Sequence, residues 1–182
     1  NDIFDPNSSW EPKTEDIKQG QFADCYLLSA LLSVIKKDKN SIKKCFFSQT
    51  KNTIKLRFFK VKISVKLKKD LKSSGYQATS MGKVIIEIQK SILKNNGLVG
   101  NNTNALWVNI FEKAATIYKA TNENVVADDL YSQKNIIDRW KNSSPRGNIS
   151  VNNLNWGYGF IFLTAITGKP SSLRNIFTPD AE

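Results

Sequence analysis

The sequence predicts an α+β fold, helix-rich with a few strands. Three stretches carry that prediction. Tyr26 to Ile35 is an unbroken run of apolar and small residues at helix length, and its apolar positions cover more than one face. Such a helix is expected near the centre of a core. From Ile54 to Leu67, apolar residues alternate with lysine, arginine and serine, which is the period of a half-buried strand with its charge outward. From Ala105 to Lys119, Leu106, Ile110, Phe111, Ala114, Ile117 and Tyr118 recur at helical spacing. Helix and strand periods in one chain, with no internal repeat, give the mixed class.

Taken in order, residues 1–18 read as an irregular polar arm with Pro6, Pro12 and one anchoring aromatic, Trp10. The first helix is expected from Cys25 to about Lys37, with Lys36, Lys37 and Lys39 suiting the negative pole of its dipole. In the strand that follows, the apolar phase is even at Ile54, Leu56 and Phe58 but odd at Val61, Ile63, Val65 and Leu67. A one-residue slip at Phe58-Phe59 calls for a β-bulge or a tight bend. Lys68 to Met81 reads as a polar linker turning at Ser73-Ser74-Gly75, Val84 to Ile88 as a second strand, and 95–104 as a loop. A short helix is expected over Ser132 to Trp140 with Ser132 as its N-cap. The last apolar segment, Trp156 to Ile166, stops at Gly168 and Pro170.

At 182 residues, 40% hydrophobic and 24% charged, the chain has the composition of a folded globular protein. No apolar run approaches the roughly 20 residues that span a bilayer, and the first residues have no secretory-signal pattern. Two cysteines do not make a disulfide framework, and Cys45, beside Phe46-Phe47, is expected to be a small buried thiol. A reducing, intracellular and cytoplasmic setting is therefore expected. The net charge of +11 is concentrated between Lys36 and Lys72, where Asp38 and Asp70 are the only acids. Lysine outnumbers arginine there, and arginine is the usual residue for bidentate phosphate or base recognition. The basic run is read as a solvated face, and neither nucleic acid nor an anionic membrane is expected as a partner.

The densest chemical signal is Gln19-Gly20-Gln21-Phe22-Ala23-Asp24-Cys25. It places a cysteine at the first turn of a helix, where unpaired N–H groups and the dipole favour negative charge on sulfur. Gln19 could bring its amide NH₂ beside that sulfur and, with the Cys25 N–H, form a two-donor oxyanion hole. Asp24 reads as structural, holding the turn at the helix start. The chain contains no histidine. A cysteine nucleophile normally exchanges its proton with an imidazole, so at most half of a catalytic centre is present.

With those residues in view, the chain resembles the calpain family of papain-like cysteine proteases. Gln19, Gly20, Asp24, Cys25, Leu28 and Ala30 fall in register with the family's nucleophile segment. Leu106-Trp107-Val108-Asn109-Ile110-Phe111-Glu112-Lys113-Ala114 is similar to its Leu-Trp-x-x-Leu-Leu-Glu-Lys-Ala helix, and Leu163 to Gly168 to its Leu-Thr-Gly-Gly close. Phe22-Ala23 and Tyr26 depart from the family's Leu-Gly and Trp, and neither change removes a catalytic atom.

The resemblance implies the helix-rich first lobe of a two-lobed protease, with a small antiparallel sheet. Residues 1–18 would be an arm, 19–170 the lobe, and 171–182 the start of a hinge to a lobe bearing His and Asn. Cys25 would be the nucleophile and Gln19 the oxyanion donor, acting on a protein or peptide substrate. In the family register, Asp16 and Glu123 would be ligands of a calcium site, Ca²⁺ being the only cofactor implied. Glu112 and Lys113 fit either a helix salt bridge or solvent exposure. Trp107, Trp140 and Trp156 fit core or lobe-interface positions. The alternative is a pseudoprotease lobe, a non-catalytic protein-interaction module.

Overall fold

Alternating burial along two long paired strands organises the molecule. The structure, a computed structural model, describes residues 10–18, 25–67, 74–91, 105–142 and 157–174. The expected loop at 95–104 and the segment Gln19 to Asp24 lie outside the described residues. Helices α1 (Cys25–Asp38) and α2 (Asn40–Cys45) lead into strands β1 (Phe46–Gln49), β2 (Thr53–Leu67) and β3 (Ser74–Gln89). Helix α3 (Leu106–Ala120) and strand β4 (Val125–Ala127) follow. Helix α4 runs through Leu130–Ser132, a π-turn at Gln133–Ile137 and Asp138–Asn142; α5 (Gly159–Thr167) and β5 (Ser171–Arg174) complete the order. The sheet has the order β1-β2-β3-β5 and is antiparallel, except that β4 adds to β2 in parallel at Val61–Ile63. The mixed class with a small, largely antiparallel sheet is as expected.

Ile54, Leu56 and Phe58 are buried, and so are Val61 and Ile63, so the inward phase of β2 changes parity as the sequence predicts. The irregularity falls slightly later than Phe58-Phe59. Lys60 pairs with Gly82 and Val61 with Ser80, leaving Met81 of β3 as the extra residue. Gly82 sits there at φ 123°, which side-chain-bearing residues rarely adopt. The sequence reading of Lys68 to Met81 as a linker is corrected: from Ser74 onward it is strand. Tyr76 and Ala78 are its buried residues, and polar Gln77, Thr79 and Ser80 mask the alternation.

Helices α3 and α5 cover the apolar side of the hairpin. Phe58 meets Phe111 at 5.5 Å and Tyr118 at 5.4 Å between ring centroids, and Tyr118 meets Phe162 at 5.8 Å. Helix α5 ends at Gly168 in the left-handed region, φ 71°, where a Cβ would also stand 2.9 Å from the Phe59 ring. This is the expected glycine stop, enforced by both backbone and packing.

Two helices exchange the roles expected of them. In α1, Leu27, Leu28, Ala30, Leu31 and Val34 are buried, while Cys25, Ser29 and Ser33 are exposed. It therefore packs by one face rather than at the centre. In α3, every residue from Trp107 to Thr116 is buried, together with Tyr118 and Lys119. Glu112 and Lys113 are consequently interior groups, which corrects the solvent-exposed option. Helix α4 also begins earlier than expected. Asp129 is the cap, its carboxylate accepting the Ser132 N–H at 2.6 Å and the Ser132 hydroxyl at 2.7 Å.

The arm is tied down by Trp10, whose ring meets Phe46 at 5.5 Å and Trp107 at 6.2 Å, edge on. Glu11 adds ion pairs to Lys39 at 2.8 Å and Lys43 at 3.0 Å, which hold its carboxyl below the usual range. Among the described residues, no helix is long and apolar enough to cross a membrane.

Candidate functional site around Cys25

Cys25 is the first residue of α1, and it is exposed. The first N–H groups of a helix lack carbonyl partners within it, so this thiol stands where backbone donors converge. Cys45 contrasts with it in burial. It is fully buried, its Sγ lies 3.3 Å from the Ser41 carbonyl oxygen and 3.7 Å from that of Ile166, and burial pushes its thiol up to about 12. Both cysteines are free. The chain thus has one accessible thiol and one inert one. Gln19 and Asp24 lie outside the described residues, so the expected oxyanion pair has no geometry here beyond the placement of Cys25 itself.

The residue after Cys25 is held by an aromatic cluster. The Tyr26 ring stacks on Phe162 at 5.8 Å and 28°, and meets Trp140 at 6.4 Å edge on. Trp140 is buried, which places it in the core as expected. The chain at Gly157 passes so close that a Cβ there would lie 2.5 Å from the Tyr26 ring. The start of α1 is therefore fixed by α4, by α5 and by the segment leading into α5. Lys119, at the end of α3, reaches the same cluster. Sequence reading assigned it no role, because a lysine one residue before a helix end ordinarily points to solvent.

The two residues expected to share a calcium ion are not brought together. Asp16 sits against the beginning of α3: its carboxylate accepts the Trp107 indole N–H at 2.9 Å and the Lys13 N–H at 2.9 Å, and its carbonyl accepts the Ala105 N–H. Glu123 lies in the 3₁₀ turn Asn122–Asn124, beyond the other end of that helix. A 15-residue helix is about 22 Å long, so no single ion reaches both carboxylates. Among the described residues, no group of three or more His, Cys, Asp or Glu is arranged to hold a metal.

Asp16 instead anchors the arm to α3. Asp16→Ala leaves the indole N–H of buried Trp107 without its acceptor, at an expected cost of about 1–3 kcal/mol. Urea unfolding of the two proteins checks this, and equal midpoints would remove the anchoring role. No protein-family model, no curated protein and no solved structure matches the chain.

Proposed function

We propose that the chain is the Cys-bearing lobe of a calpain-like cysteine endopeptidase, completed by a second lobe that supplies His and Asn. The observation that carries the reading is the contrast between the two thiols: Cys25, in the motif, is exposed at a helix start, and Cys45 is sealed. Cys25 Sγ attacks a peptide carbonyl to give an acyl-enzyme. The Cys25 N–H and the Gln19 carboxamide receive the charge that develops on the oxygen. The histidine of the second lobe takes the thiol proton and returns it to the leaving amine, and the asparagine orients the imidazole. The open side of α1, with Cys25, Ser29 and Ser33 along it, is the face that such a lobe would cover. Without it the chain is expected to be inactive.

The test is to assemble the chain with a second lobe bearing His and Asn, and to treat it with an electrophilic peptide that alkylates cysteine-protease nucleophiles. Wild type should be labelled at Cys25, and Cys25→Ala should not. Equal labelling of both proteins ends the nucleophile assignment. A folded wild type whose Cys25 is not labelled favours the non-catalytic interaction module, the reading to which the absence of histidine from the chain also lends weight.

A further inference from the structure

Lys119 is 2% exposed. Its Nζ lies 4.9 Å from the Trp140 ring centroid and 5.6 Å from that of Tyr26. Burial pushes the ammonium down to about 8. An ammonium over ring faces is drawn by their quadrupoles, more strongly when water is excluded.

What distinguishes the position is the ring it holds. Tyr26 directly follows Cys25, and the ring is bounded by Phe162 and Trp140, with Gly157 closing on it. Fixing that ring fixes the first turn of α1, and the first turn carries Sγ. We propose that Lys119 is a positioning residue, which sets the placement of the Cys25 thiol through its cation–π contacts with Tyr26 and Trp140. It acts through Tyr26 rather than on a substrate, and the proposal rests on the reading of Cys25 as a nucleophile.

The test measures the second-order rate of Cys25 alkylation by iodoacetamide in the 182-residue chain, with buried Cys45 as the unreactive internal control. Lys119→Met should react about tenfold more slowly, the loss of a desolvated cation–π contact. Lys119→Arg keeps a cation over the rings and should restore the rate. Tyr26→Leu should be as slow as Lys119→Met, and the double variant no slower than either. A wild-type rate in Lys119→Met overturns the proposal, as does Lys119→Arg reacting as slowly as Lys119→Met. If Lys119→Met fails to fold, a wild-type rate in Tyr26→Leu overturns it instead. Iodoacetamide needs no second lobe. A lysine-dependent rate in a protein that the peptide electrophile ignores therefore sinks the protease reading alone. Peptide labelling at Cys25 with no dependence on Lys119 sinks only the positioning role.

Discussion

Phe111→Ala is expected to lower the unfolding free energy by about 3–5 kcal/mol, the range for deleting a buried aromatic ring. The ring is fully buried and sits where three parts of the chain meet. It touches Phe46 of β1 at 5.6 Å, Phe58 of β2 at 5.5 Å, and Trp107 on its own helix at 6.2 Å, the last of which holds the arm. Those neighbours belong to different elements and are themselves packed, so they cannot collapse far into the space left behind. Leu106→Ala is the control. It lies on the same helix but is 41% exposed, and its expected cost is below about 1 kcal/mol. Urea unfolding of both variants measures the difference. Similar losses in the two would mean that α3 is not the enclosed helix of the fold.

That enclosure was only half visible in the sequence. Periodicity is local, so α1, α3, α5 and β2 could each be read from their own residues. Which helix ends in the middle is decided by partners. Leu32 and Ile35 make α1 look apolar on several sides, yet they are only half-buried, while Glu112, Lys113 and Lys119 are inside α3. The parity change of β2 was legible because a strand has period two and Phe58 and Val61 cannot both face inward on a regular one. The early half of β3 was not. Among the described residues its buried ones are Tyr76 and Ala78, and its place in the sheet depends on pairing with β2 and β5. Likewise α2 and β1 are too short to establish a period.

The candidate site divides in the same way. Placing Cys25 at a helix start needed only the apolar run after it and the motif before it, and both are local. The burial of Cys45 agrees with the expectation drawn from its neighbourhood. The pairing of Asp16 with Glu123 came from register with a family and was blind to distance; a full helix separates them. The role of Asp16 as acceptor for Trp107 joins residues 91 positions apart, beyond the reach of any pattern. Lys119 was hidden for a similar reason, since its aromatic neighbours Tyr26 and Trp140 come from both sides of it in sequence.

The largest expected effect on activity separates the two chemical roles assigned to the motif. On the proposed protease reading, in the chain assembled with a His- and Asn-bearing lobe, Cys25→Ala should lower kcat by about 10⁴-fold or more, because no other group would form the acyl-enzyme. Gln19→Ala should cost about 10²–10³-fold, the usual loss for one oxyanion donor, leaving KM little changed. The difference follows from the role that reading gives each residue. Removing the sulfur removes the covalent path, whereas removing the carboxamide leaves the Cys25 N–H to receive part of the charge. Alkylation by the peptide electrophile should persist in Gln19→Ala and vanish in Cys25→Ala. Steady-state kinetics on a peptide substrate, read beside that labelling, checks both. A Gln19→Ala protein with wild-type kcat would leave Cys25 a nucleophile without the carboxamide as its donor. A Cys25→Ala protein that still turns over would remove the thiol mechanism altogether.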